Sequence, residues 1–187
     1  MAIQEKRYTV DEFWQIANRP ENQNKRLELI DGRIVEVSPS FLPSTIAGLI
    51  ITAFNIYLRT NPIGYVTGAD GGYILSDDNE YIPDVGYISK ERLPELPERE
   101  VPVPPDLAVE VVSPTDSKEA VKQKARKYLI SGTRMVWIVY PDNRTVAVCR
   151  LNKENVLNIT TLDTTGTLDG GDVLPGFRLE IRDIFPD

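Results

Sequence analysis

Two apolar runs separated by a helical segment constrain the fold of this chain more than any other feature. Nearly all residues in the segments 107–112 and 135–140 are apolar, and many have a high β propensity. This pattern predicts two strands buried on both faces. Residues 117–131 between them predict a helix, which Gly132 closes from the C′ position. A strand, a helix and a second strand in this order predict a parallel pair with a right-handed crossover. We therefore expect an α/β fold built on a mixed sheet.

The remaining segments predict helices and hairpins around this unit. Residues 9–17 begin with a Thr cap and predict a short helix, and residues 45–59 predict an apolar helix capped by Ser44. The Asp31-Gly32 pair is a strong turn signal for an N-terminal hairpin. Further short strands are predicted at residues 65–67, 72–75, 81–88, 145–150, 156–162 and 177–181. We expect one domain over residues 1–187, with N-terminal and C-terminal β-hairpin extensions.

The residue inventory excludes several classes of function. One cysteine, Cys149, cannot form an intrachain disulfide, so a secreted disulfide scaffold is excluded. The absence of histidine excludes Ser-His-Asp hydrolases, Cys-His hydrolases and HExxH metalloproteases. A net charge of −7 argues against a broadly basic nucleic-acid binder, although carboxylates that hold a metal also lower the charge.

Two features predict a cytoplasmic protein that is not inserted in a membrane. The N-terminal residues lack the apolar segment of a signal peptide. The longest apolar stretch, residues 46–58, is too short to cross a bilayer and contains polar side chains.

Two acidic residues occupy positions that strand structure alone would not favour. Asp84 lies within the predicted strand 81–88, and Glu110 lies in the most apolar strand of the chain. A buried carboxylate costs several kcal/mol unless it is protonated, paired or bound to a cation. At about 100° per residue, Lys124 falls on the apolar face of the helix at residues 117–131, so its amine points towards the sheet.

Two carboxylates and an inward-facing amine suit metal-assisted hydrolysis of a phosphodiester, which needs no histidine. Carboxylate oxygens hold Mg²⁺ or Mn²⁺, and an amine offsets charge that develops on the phosphate. A buried structural ion pair between Glu110 and Lys124 explains the same residues without any catalysis. Asp84 is also compatible with the end of an edge strand, since a proline precedes it.

An ordered set of short motifs resembles a known family. The segments are residues 27–32, 38–39, 83–85, 110–114, 124–128, 132, 136–139 and 174–176. In this order they resemble the Uma-two (Uma2) family of restriction endonucleases, within the PD-(D/E)XK nuclease superfamily. The resemblance covers nearly the whole chain. It implies a restriction-endonuclease-like mixed β-sheet flanked by helices.

The resemblance also implies roles for individual residues. Asp84 and Glu110 become ligands of a Mg²⁺ or Mn²⁺ ion, Lys124 becomes the catalytic amine, and Glu28 becomes a further acidic member of the site. The expected activity is metal-dependent endonucleolytic hydrolysis of DNA, and the expected assembly is a homodimer.

Two departures from the family pattern keep other functions open. The superfamily lysine usually lies two residues after the acid, where this chain has Val112, so the amine comes from Lys124 instead. Many relatives carry a histidine where this chain has Ser44 and Thr45. One alternative is a catalytically inactive nuclease-fold module that binds nucleic acid or protein. Another is a structural or regulatory dimer with a buried ion pair and no metal affinity.

Overall fold

A computed structural model describes residues 6–38, 40–114 and 116–186. Within these ranges the α-helices are α1 (Val10–Ala17), α2 (Phe41–Thr60) and α3 (Lys118–Ile130). The strands are β1 (Leu27–Ile30), β2 (Arg33–Glu36), β3 (Gly64–Thr67), β4 (Tyr73–Ser76), β5 (Asn79–Tyr81), β6 (Val85–Ser89), β7 (Leu107–Val111), β8 (Met135–Tyr140), β9 (Thr145–Leu151), β10 (Leu157–Leu162), β11 (Thr167–Asp169) and β12 (Arg178–Glu180). Residues 1–5, on which the signal-peptide prediction depends, and Pro39 of the matched segment 38–39 lie outside the described ranges.

A six-stranded mixed sheet forms the centre of the fold, with strand order β10-β9-β8-β7-β6-β3. Its parallel pair is β7 and β8, which α3 connects, as the two apolar runs predict. Every residue of β7 is buried, because helices cover both faces of the sheet. The mixed sheet and its flanking helices confirm the predicted fold class.

The two long helices cover opposite faces of this sheet. On one face, Phe54 of α2 packs against Trp137 and Phe177, with ring centroids 5.7 Å and 4.8 Å apart. On the other face, Val121 and Ala125 of α3 pack into a separate cluster over β7 and β8. Each large apolar side chain buried in this way contributes about 1.5–3 kcal/mol relative to exposure.

A second, four-stranded sheet, with order β2-β1-β5-β4, carries the N-terminal hairpin. Asp31 and Gly32 both have positive φ, +50° and +73°, as the turn of a two-residue hairpin requires. Helix α1 begins with a reciprocal capping box between Thr9 and Glu12. At the C-terminal end, β9 and β10 extend the central sheet in antiparallel pairing, in agreement with the predicted extension. The separate C-terminal hairpin is β11–β12.

Two predicted element boundaries were wrong. Helix α2 begins at Phe41 after the N-cap Ser40, not at Thr45. Pro43 lies in its first turn, where a missing N–H removes no helical hydrogen bond. The predicted strand at residues 81–88 is two strands in two different sheets, β5 and β6. Pro83 lies at the break, because it has no N–H to continue a ladder.

Helix α2 is longer than the helix predicted at residues 45–59. It has 20 residues, and an 18-residue window within it has a mean hydropathy of 1.6, so by length and composition alone it is long enough to cross a membrane. One such helix is weak evidence for a membrane span. Three of its side chains, Ile46, Ile50 and Phe54, are completely buried in the core against the central sheet.

Candidate active site

Four predicted residues, Glu28, Asp84, Glu110 and Lys124, line one cleft of about 690 Å³ between the two sheets and the N-terminal parts of α2 and α3. Glu28 comes from β1, Glu110 from β7 and Lys124 from α3. Asp84 lies immediately before β6, at the point where the chain passes from one sheet to the other, and so not within a strand. The fold therefore brings together residues that are up to 96 positions apart.

Lys124 is at the centre of this group, on the helix face that its periodicity predicts. Its Nζ donates to Glu28 Oε1 at 2.9 Å and to Glu110 Oε2 at 3.1 Å, and lies 3.0 Å from Glu110 Oε1. Its ammonium also lies over the Tyr81 ring, 5.6 Å from the centroid. The side chain of Lys124 is only 18% exposed, so little solvent screens these contacts.

Each of the three carboxylates accepts a hydrogen bond from a group other than Lys124. Glu28 Oε1 accepts from the backbone N–H of Ile82 at 3.0 Å, and Glu110 Oε1 accepts from the Tyr128 hydroxyl at 3.0 Å. Asp84 Oδ2 accepts from the backbone N–H of Val111 at 2.7 Å, which joins the break before β6 to β7. These bonds fix all three carboxyl groups towards the cleft.

Burial and mutual charge shift the protonation of the group. Burial raises the pKa of Glu110, and the charges of Asp84 and Glu28 add to this effect against the opposing charge of Lys124. Burial also raises the pKa of Asp84, although the Val111 N–H and Lys124 oppose it. Burial acts to lower the pKa of Lys124, but the charges of Glu110 and Glu28 outweigh it and raise that pKa. Lys124 is therefore a protonated hydrogen-bond donor at neutral pH.

The carboxylate oxygens in the cleft are the kind of ligand atom that a hard divalent cation binds. Mg²⁺ prefers oxygen ligands and is commonly held by one or two carboxylates together with water and substrate phosphate. Asp84 and Glu110 offer such oxygens in the cleft, where Lys124 is ion-paired with Glu28 and Glu110. Among the described residues, no group of three or more His, Cys, Asp or Glu is arranged to hold a metal ion. A cation here would thus compete with Lys124 for the oxygens of Glu110.

Several residues at the cleft were not predicted as site members. Tyr128 packs in the core beneath α3, and its hydroxyl donates a hydrogen bond to Glu110. Lys127 forms an ion pair with Asp31 at the edge of the cleft. Arg26, which also lines the cleft, donates to the Ala69 carbonyl. The helical periodicity of α3 places Tyr128 on the same face as Lys124, so the sequence could have indicated its position. No local sequence pattern indicates that Arg26, which precedes β1, lies at the cleft.

Comparison with known proteins identifies the family. The family model Uma2, described as "Putative restriction endonuclease", matches residues 10–182. The chain belongs to the Uma2 family. This membership, which the motif order predicts, supports a nuclease function, and restriction-endonuclease-like families generally use a divalent metal.

A solved structure independently supports the fold of this Uma2 member. The chain is similar to a "putative nuclease belonging to DUF820" from Anabaena variabilis, with a TM-score of 0.78 and 24% sequence identity. The similarity covers 95% of this chain and 97% of that chain. At this identity the likeness shows a shared fold alone. No curated protein matches the chain.

Proposed function

We propose that this protein is a Mg²⁺-dependent endonuclease that hydrolyses DNA phosphodiester bonds in the cleft between its two sheets. The observation that carries the proposal is the pairing of Glu28 and Glu110 with the Lys124 ammonium in a cleft that Asp84 also lines. Asp84 and Glu110 are the proposed ligands of the cation. When bound, a divalent cation neutralises charge on the attacked phosphate and activates a water molecule.

Lys124 has the role of a fixed positive charge in this scheme. Because its pKa is raised, it remains protonated at neutral pH and cannot serve as a general base. It donates hydrogen bonds, and a donor held in this way stabilises negative charge that develops on the phosphate in the transition state. Glu28 keeps the ammonium in position through its 2.9 Å contact. We therefore assign Glu28 as a positioning residue and Lys124 as the catalytic amine.

The cleft is lined by six acidic residues and three basic ones, so binding of a polyanion there depends on the proposed cation and on a few local donors. Arg26, Lys124 and Lys127 line the cleft, and the N-terminal ends of α2 and α3 open onto it. Helix N-termini carry a partial positive charge and unpaired N–H groups, which favour phosphate. We expect weak binding that decreases steeply with salt concentration.

A plasmid-nicking assay tests the proposal. Wild-type protein with Mg²⁺ or Mn²⁺ should convert supercoiled DNA to the nicked form, and EDTA should stop the reaction. We expect Asp84→Asn and Lys124→Ala each to reduce the rate by about 100-fold or more. The matched exposed variants Asp142→Asn and Lys153→Ala should cleave at the wild-type rate. Unchanged nicking by Asp84→Asn and Lys124→Ala would refute the site assignment.

An inactive nuclease-fold module is the second candidate function. It is favoured by the compact ion-pair group, in which Lys124 already contacts both oxygens of Glu110. Such a module would bind DNA without nicking it under any metal condition. Calorimetric titration with Mg²⁺ separates this module from a purely structural ion pair. An intact metal site should give a heat of Mg²⁺ binding that Asp84→Asn abolishes, whereas a structural ion pair should give no heat of binding.

Three further expectations remain proposals. We propose that the chain forms a homodimer, as the family resemblance implies, and light scattering of the purified protein measures this directly. We also propose a cytoplasmic location and a single domain over residues 1–187. Cell fractionation and limited proteolysis, respectively, test these two proposals.

A further inference from the structure

The outer face of α2 carries a concentration of exposed apolar side chains. Ten large apolar side chains are exposed among the described residues, and five of them lie between residues 41 and 63. Three of these, Leu42, Leu49 and Ile56, follow one another at intervals of seven residues and are 45%, 38% and 64% exposed. Side chains seven positions apart lie within about 20° of each other around a helix. These three residues therefore form one row along α2.

Two threonines fill the gaps in this row without adding a donor that needs water. They follow the first two residues of the row by three positions each, which places them on the same side of the helix. Thr45 Oγ1 donates to the Phe41 carbonyl at 3.0 Å, and Thr52 Oγ1 donates to the Gly48 carbonyl at 2.8 Å. Both hydroxyl protons are thus used within α2. We define the outer stripe of α2 as Leu42, Thr45, Leu49, Thr52 and Ile56.

The outer stripe is separate from the two sides of α2 that already have a role. Ile46, Ile50 and Phe54 are completely buried against the central sheet. Another side of the helix lines the cleft of the candidate active site, through Pro43, Ser44, Ala47, Gly48 and Ile51. None of these residues belongs to the outer stripe. A partner bound on the stripe therefore leaves the cleft open.

The chemistry of α2 disfavours two kinds of occupant for the stripe. Arg59 is the single charged residue of this helix, in a chain in which 26% of the residues are charged. Nucleic acid is bound mainly through Lys and Arg contacts to phosphate, which the stripe does not offer. A helix that lies on a membrane surface likewise carries Lys and Arg on its polar face. Depletion of charge is instead typical of the centre of a protein–protein interface.

The equal spacing of the row fits a second copy of the same chain. In a two-fold interface, residue i of one copy contacts residue j of the other, and j contacts i. In an antiparallel pair of α2 helices centred on Leu49, this residue meets its own counterpart, and Leu42 meets Ile56 at both ends. All three contacts are then apolar. A parallel pair would instead bring the two copies of Arg59 close together, and like charges repel.

We propose that two copies of this chain associate through the outer stripe of α2, as an antiparallel helix pair centred on Leu49. The proposal rests on the homodimer proposed above and assigns its surface. A helix of 20 residues is about 30 Å long, so the stripe alone covers less than the roughly 800 Å² per partner of a standard interface. Phe41 and Ile63, which are 90% and 40% exposed, extend it at the two ends. We therefore expect a weak dimer, with a Kd in roughly the micromolar range.

Light scattering coupled to size-exclusion chromatography tests the surface on the full-length protein. The wild type should be mainly dimeric at about 100 µM, and Leu49→Glu and Ile56→Glu should each weaken the dimer at least about tenfold. Ile130→Glu, at a residue of α3 that is 59% exposed, is the matched control and should dimerise like the wild type. Circular dichroism should be the same for all four proteins, because every substituted side chain is exposed.

The outcomes separate the surface from the other proposals. A monomeric wild type would overturn both the homodimer and this surface. A dimer that Leu49→Glu and Ile56→Glu leave intact would overturn the surface alone. A dimer that these variants dissociate supports the surface even if the wild type does not nick DNA. Binding of the wild type to phosphatidylcholine vesicles, without dimerisation in solution, would overturn the choice of a second copy as the occupant.

Single cysteines test the antiparallel arrangement. The native Cys149 is completely buried, so it offers no competing surface thiol. On mild oxidation, Leu49→Cys should form a disulfide-linked dimer, because this position meets its own counterpart. Leu42→Cys and Ile56→Cys should cross-link to each other when the two proteins are mixed, and much less when each is oxidised alone. Efficient cross-linking of Leu42→Cys to itself would overturn the antiparallel arrangement.

Discussion

Replacing Lys124 with Met should destabilise the protein far more than replacement of an exposed lysine. Methionine keeps the length of the side chain and removes the charge, which leaves Glu28 and Glu110 buried at 4% and 8% exposure without their shared counter-ion. Removing one partner of a buried ion pair typically costs about 3–5 kcal/mol. We expect a loss in this range at pH 7, because the lysine contacts two carboxylates.

The loss should also depend on pH in a definite direction. Burial already raises the pKa of Glu110, and Lys124 is the main group that opposes this rise. Without Lys124, the folded state should bind a proton on Glu110 more tightly than the unfolded state does. Stability of the variant should therefore fall as pH increases above the ordinary pKa of a glutamate. We expect a smaller loss at pH 5 than at pH 9.

Urea unfolding of the wild type, Lys124→Met and the exposed control Lys153→Met at pH 5, 7 and 9 measures these effects. The control should stay within about 0.5 kcal/mol of the wild type. A double variant, Lys124→Met with Glu110→Gln, should recover part of the lost stability, because it also removes the unpaired charge. A loss below about 1 kcal/mol for Lys124→Met at pH 7, or no difference between pH 5 and pH 9, would refute this account of the cluster.

Two further substitutions probe buried hydrogen-bonding groups. Tyr128→Phe removes the hydroxyl that donates to Glu110 and should cost about 1–3 kcal/mol of unfolding free energy, while circular dichroism of the folded protein stays unchanged. Under the proposed function it should also slow plasmid nicking, and a stability equal to the wild type would contradict a hydrogen bond at this position. Burial and Glu100 raise the pKa of Glu80 from 4.5 to about 7, so wild-type stability should fall by about 2–3 kcal/mol as pH rises through this interval. Glu80→Gln should remove this part of the pH dependence in urea unfolding, and the same slope in both proteins would contradict the burial of an ionisable Glu80.

Local sequence rules predicted much of the fold because they depend on neighbouring residues only. The two apolar runs predicted the buried parallel strands β7 and β8. The Asp31-Gly32 pair predicted the hairpin turn. The 100° periodicity of a helix placed Lys124 towards the sheet, where it meets Glu110. These results require no knowledge of how distant segments pack.

Tertiary structure alone decided the rest. The break between β5 and β6, which places Asp84 outside a strand, depends on two sheets that diverge at Pro83. The contact of Glu28 with Lys124 joins residues 96 positions apart, and no local pattern carries that information. Glu80 and Trp14 likewise meet only because α1 packs on the four-stranded sheet. The sequence by itself determined which side chains leave each helix or strand on a given face, whereas their convergence into cavities depends on long-range packing between those elements.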